Sequence, residues 1–105
     1  MSSPNGEIVL VFKGTPFTVK PSFKLLERIE EATNKSILEI LQNMSEGKVR
    51  VGHLAQIVHV ALMLSGKPVH VDEIGEWLLE SGNVVEVAKP VTEMLVAAMT
   101  ARPKT

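Results

Sequence analysis

The residues able to do chemistry in this chain are three histidines, a dozen carboxylates and one Lys-Ser pair. His53, His59 and His70 could bind a metal, or move protons, if their spacing brought them together. His53 and His59 are six residues apart and fall on different parts of one helix, and His70 lies beyond it, so no ligand set forms. The carboxylates sit at caps or on polar helix faces. No serine has a histidine and an acid in a context that would build a nucleophile. Lys35-Ser36 follows Asn34 and lacks the upstream glycines of a phosphate loop. There is no cysteine, which removes disulfides and thiolate metal sites. The expectation is a protein that is not an enzyme and carries no metal or cofactor.

The elements behind these residues are clearer. Ile8, Leu10 and Phe12 alternate with Val9 and Val11, giving a strand apolar on both faces. Lys13-Gly14-Thr15-Pro16 supplies a turn. Phe17 and Val19 face one side of a return strand. A lone hairpin is marginal in water and must pack on helices or pair with another chain. Ser22 caps a helix with Leu25, Leu26, Ile29, Ala32 and Thr33 on one face, and Asn34 ends it in the left-handed conformation. Ser36 and Glu39 form a capping box opening a helix whose buried stripe is Ile37, Ile40, Leu41 and Met44; Gly47 stops it.

After an extended Lys48–Val51 link, Gly52 to Ser65 is the most apolar helix and the expected centre of the core. Leu54, Ile57, Val58, Ala61, Leu62 and Leu64 cover about half its circumference. Gly66 and Pro68 end it. Asp72 is expected to cap a helix from Glu73 to Ser81, closed by Ser81-Gly82, with Ile74, Trp77 and Leu78 inward. Asn83 and Glu86 form a cap-like pair before the last helix, Val84 to Ala101. Its stripe of Val84, Ala88, Val91, Leu95 and Met99 runs in phase through Pro90, which favours one kinked helix or two collinear ones. The predicted fold class is α+β: an N-terminal β-hairpin packed on a bundle of about five helices, as one domain over residues 1–105 with frayed ends at 1–5 and 102–105.

Composition narrows the function. Eleven basic and twelve acidic residues leave a net charge of −1, without the basic face a nucleic-acid binder needs. No stretch is long enough to span a membrane, and the polar N-terminus is not a signal peptide. The apolar surplus points to protein partners. Val9 and Val11 make a second strand face beside a free edge. Val85, Val96 and Ala97 lie off the last helix's stripe. Met44, Met63, Met94 and Met99 add adaptable apolar surface, with Met44 and Met99 expected to be packed internally. The candidate interaction residues are Val9, Val11, Phe17, Met63, Trp77 and Val96.

The order of pieces from the N-terminus resembles a family. Gly6-Glu7, Gly14, Pro21-Ser22-Phe23, Glu30-Glu31, Thr33-Asn34-Lys35-Ser36 and Leu38-Glu39-Ile40-Leu41 are similar to the tail-assembly proteins of siphophages and gene transfer agents. These were first labelled tail tube proteins and are now usually regarded as tail assembly chaperones. Asn34 stands where that pattern has Gly, a mild exchange at a left-handed position. The likeness is weaker after Gly47. It implies a cytoplasmic, non-catalytic chaperone of a phage, prophage or gene transfer agent. Such a protein binds the tape measure protein while the tail tube forms, with the major tail tube protein as a second partner and self-association along the tape measure. Two alternatives stay open: a structural component of the virion tail, and a small regulatory or protein-interaction module with a helix-turn-helix over Gly52–Ser81. The acidic outward face of Glu73–Ser81 argues against DNA binding.

Overall fold

The computed structural model describes residues 7–80 and 82–100. The expected frayed ends, together with Ser81 and Ala101, lie outside these. The element order is β1 (Ile8–Phe12), β2 (Thr15–Val19), α1 (Phe23–Thr33), α2 (Ile37–Ser45), α3 (Val51–Leu64), α4 (Val71–Leu78) and α5 (Asn83–Thr100). The expected hairpin and five helices are therefore present, and the architecture is α+β.

The turn is tighter than the sequence suggested. Phe12 pairs with Thr15, so Lys13 and Gly14 alone make the loop, both at positive φ (53° and 79°). Two positive-φ residues make a type I′ turn, whose twist matches that of the strands. Thr15 and Pro16 belong to β2. Along β1 burial alternates: Ile8, Leu10 and Phe12 are buried while Val9 and Val11 are exposed. The buried row rests on α5, and β2 leans on α3. Phe12 meets the Trp77 ring edge-on, with centroids 5.0 Å apart. Lys13 Nζ bonds Glu73 Oε2 at 2.6 Å and joins the turn to α4.

Both expected serine caps form. Ser22 Oγ accepts from Leu25 N–H at 3.1 Å, and Ser36 Oγ from Glu39 N–H at 3.1 Å. Asn34 takes the left-handed conformation at φ 57°. The reciprocal half of the capping box does not form. Glu39 turns to Lys35 Nζ at 3.1 Å, while Glu30, from the preceding helix, accepts the Ile37 N–H at 2.9 Å. The sharp bend at Asn34 brings the end of α1 to the start of α2, so a neighbouring helix supplies the second acceptor. Ala32 is exposed, because α1 buries only its Leu25–Ile29–Thr33 row.

α3 is the central helix, in contact with α1, α4, α5 and β2. Leu54, Ile57, Val58, Ala61 and Leu62 are all buried, each large side chain contributing roughly 1.5–3 kcal/mol on leaving water. Leu64, expected inside, is exposed where the helix ends. Gly75 of α4 faces Ala55 of α3, where an added Cβ would reach ordinary van der Waals contact at 4.0 Å.

α4 begins before the expected Asp72. His70 is its cap, with Nδ1 accepting from Asp72 N–H at 3.2 Å, and the helix ends at Leu78 rather than Ser81. Asn83 does not cap α5. Its side-chain amide donates to the Trp77 carbonyl at 2.7 Å and closes α4 instead. α5 is one helix with Pro90 inside it, the first of the two arrangements its uninterrupted phase allowed. Its buried row is Val87, Val91, Met94, Leu95 and Ala98, about one position from the expected one. It is held between β1 on one side and α1 and α2 on another, which centres the buried arc between those contacts. Met94 is therefore core, and Met99, expected inside, is exposed.

Candidate protein interaction surfaces

The histidines lie on two separate elements. His53 and His59 are half-buried on α3, and His70 is used as a helix cap. Among the described residues no three His, Cys, Asp or Glu side chains are grouped to hold a metal. Glu73 and Glu76 on α4, and Glu80 just past its end, are exposed. Their combined field, led by the Glu73 hydrogen bond, raises the pKa of Lys13 above 10.5. No helix among the described residues is long and apolar enough to cross a membrane.

The apolar candidates divide between two ends of the hairpin and the helices below it. Val9 and Val11, about half exposed at 48% and 49%, share a groove of about 230 Å³ with Trp77, Val87 and Pro90. Trp77 is mostly in the core against Phe12 and reaches this groove with one edge. Val96 is exposed and lies in the next groove along α5, beside Ile8. Phe17 is partly buried against the core. Met63 is exposed on α3 near Leu64 and joins neither groove. The structure thus brings together Val9, Val11 and Trp77, places Val96 close along the same helix, and leaves Phe17 and Met63 apart.

A larger apolar surface escaped the sequence reading. Phe23 is 77% exposed and Leu38 66% exposed. With Leu26, Ile37 and Met99 they line a cleft of about 450 Å³, which Glu27 and Glu30 also line. Phe23 sits one residue and Leu38 two residues past a helix cap, each off the buried stripe of its own helix. The signal available was a large apolar side chain placed where a first turn normally carries a polar one. Two such residues either side of the Asn34 bend become neighbours only when α1 and α2 fold against each other.

This geometry defines a small α+β domain with exposed apolar grooves. A family model described as phage tail tube protein, GTA-gp10, matches residues 5–101, and the chain belongs to that family. It is a phage or gene-transfer-agent tail protein. Searches of curated proteins and of solved structures find no match.

Proposed function

We propose that this tail protein is a non-catalytic assembly chaperone, acting in the bacterial cytoplasm by binding the tape measure protein while the tail tube forms around it. Membership of the tail family supports the setting. The observation that carries the reading is the Phe23–Leu38–Met99 cleft, apolar surface left open on an otherwise well-packed domain. Exposed apolar patches of this kind suit reversible cover of another apolar surface. An amphipathic helix places anchors at i, i+3 and i+4 into such a groove, and a flexible Met at the rim adapts to varied anchors. The acidic α4 face gives no purchase on nucleic acid.

The test is co-expression with the tape measure protein of the same particle. Capture of that protein by tagged wild type, lost in Phe23→Asp and Leu38→Asp, is the expected result. Failure of the wild type to capture it refutes the chaperone reading. The second reading, a structural component of the tail, is favoured by the tail-tube wording of the family description. Mass spectrometry of purified particles separates the two. Stoichiometric presence makes the chain structural, and absence leaves it an assembly factor.

A further inference from the structure

A two-residue turn fixes which backbone groups of the hairpin face outward. Phe12–Thr15 closes the loop as a hydrogen-bonded pair, and such pairs alternate along the ladder. Leu10–Phe17 and Ile8–Val19 are then hydrogen-bonded, and Val9–Thr18 and Val11–Pro16 are not. The N–H and C=O groups of Val9 and Val11 therefore point away from β2, along the free edge of β1. On the opposite edge the same places are held by Thr18 and Pro16, and Pro16 has no N–H to give. One edge of the hairpin is blunted and the other is competent to pair. The groove of about 230 Å³ between Val9, Val11 and α5 leaves room beside that competent edge.

The sequence of β1 and its flanks is nearly symmetric about Leu10: Glu7, Ile8, Val9, Leu10, Val11, Phe12, Lys13. We propose that β1 pairs with β1 of a second copy, antiparallel about Leu10, making one four-stranded sheet across a two-fold axis. In this register Val9 exchanges both backbone hydrogen bonds with the partner's Val11, and Val11 does so with the partner's Val9. The outward side chains of Val9 and Val11 then meet their counterparts in one apolar patch. Glu7 lies opposite the partner's Lys13 at each end. Lys13 keeps half its side chain exposed beside Glu73, so a second carboxylate can join it. Sliding the pairing two residues either way sets a charged side chain against a valine, so charge selects the register. The contact is isologous and closes at two copies. The proposed contact is a single pair of five-residue strands, so it is expected to be weak and to form and break with concentration. The inference is independent of the chaperone reading.

The experiment is sedimentation of the full chain from about 10 μM to about 1 mM, a span of affinities typical of weak complexes. Wild type is expected to move from monomer toward dimer across that range. Val11→Pro removes an outward N–H without touching the β1–β2 ladder and should weaken the dimer at least tenfold, with an unchanged monomer circular dichroism spectrum. Lys13→Glu should weaken it several-fold, and the charge swap Glu7→Lys with Lys13→Glu should restore it. Because the chain has no cysteine, crosslinking reports the register directly. A mixture of Val9→Cys and Val11→Cys should form a disulfide faster than either variant alone, since only unlike positions face each other. A chain that stays monomeric at about 1 mM, a Val11→Pro dimer of wild-type strength, or equal crosslinking in all three samples overturns the proposal.

Discussion

β1 and α3 are both built almost entirely of apolar residues, and their fates differ. Four elements surround α3, and Leu54, Ile57, Val58 and Leu62 along its middle are buried in the core, with Val51, Met63 and Leu64 exposed only at its ends. β1 is covered on one face only, so Ile8, Leu10 and Phe12 are buried while Val9 and Val11 stay half in water. Hydrophobicity alone marks both as buried. The number of neighbours decides whether the surplus stabilises the fold or is left for a partner. The same contrast separates the tips of α1 and α2 from their stripes. Leu25 and Ile29 are fully buried, while Phe23, two residues before Leu25, is largely exposed.

Substitutions can break this contrast. Leu54→Ala and Ile57→Ala in α3 should each cost about 2–5 kcal/mol in urea unfolding. Leu10→Ala, on the covered face of β1, should fall in the same range. A loss below about 1 kcal/mol there would mean that the hairpin is only loosely seated on α5.

Smaller effects sharpen the comparison at the helix starts. Ser36→Ala should cost about 1 kcal/mol. Glu30→Ala should cost about as much, because its carboxylate accepts a partly buried amide. Glu39→Ala, whose side chain pairs only with Lys35 at the surface, should lose less than about 0.5 kcal/mol. A reversed order for Glu30 and Glu39 would restore the simple capping box. Val9→Thr and Val11→Thr should change stability by less than about 0.5 kcal/mol, since one face of β1 carries the packing.

The smallest effect concerns Lys13. Its hydrogen bond to Glu73 raises its pKa above 10.5. A raised amine contributes stability that is complete below its ordinary value and is lost as pH rises through the folded value. Denaturation curves of wild type and Lys13→Gln should therefore keep a constant small gap through neutral pH. The gap should close only in alkali, and it should shrink with salt, because the pair is exposed.

The caps at Ser22 and Ser36, the left-handed Asn34, the stops at Gly47 and Gly66 and the unbroken helix through Pro90 were all readable from the residues, and all are present. Each depends on side chains and backbone a few residues apart, so local chemistry suffices. The start of α4 moved because His70 caps the amide of Asp72, two residues on. Two other differences have a longer-range cause: Asn83 turned back to close α4, and the second acceptor for α2 came from Glu30 rather than Glu39. In both, the better partner of a group lies on another element.

The candidate surface divides the same way. Val9, Val11 and Val96 were visible as residues off a stripe or on a second face, and they are exposed. Trp77 was read as both inward and available, and it is mostly buried because Phe12 covers it. Phe23 and Leu38 passed unnoticed. The linear order of residues was enough to set hairpin, helices, caps and the palindromic charge pattern of β1, because these follow from short-range sterics and hydrogen bonding. Which apolar residues remained in water was decided only when the elements packed, since burial depends on how many neighbours reach a side chain, and those neighbours come from distant parts of the chain.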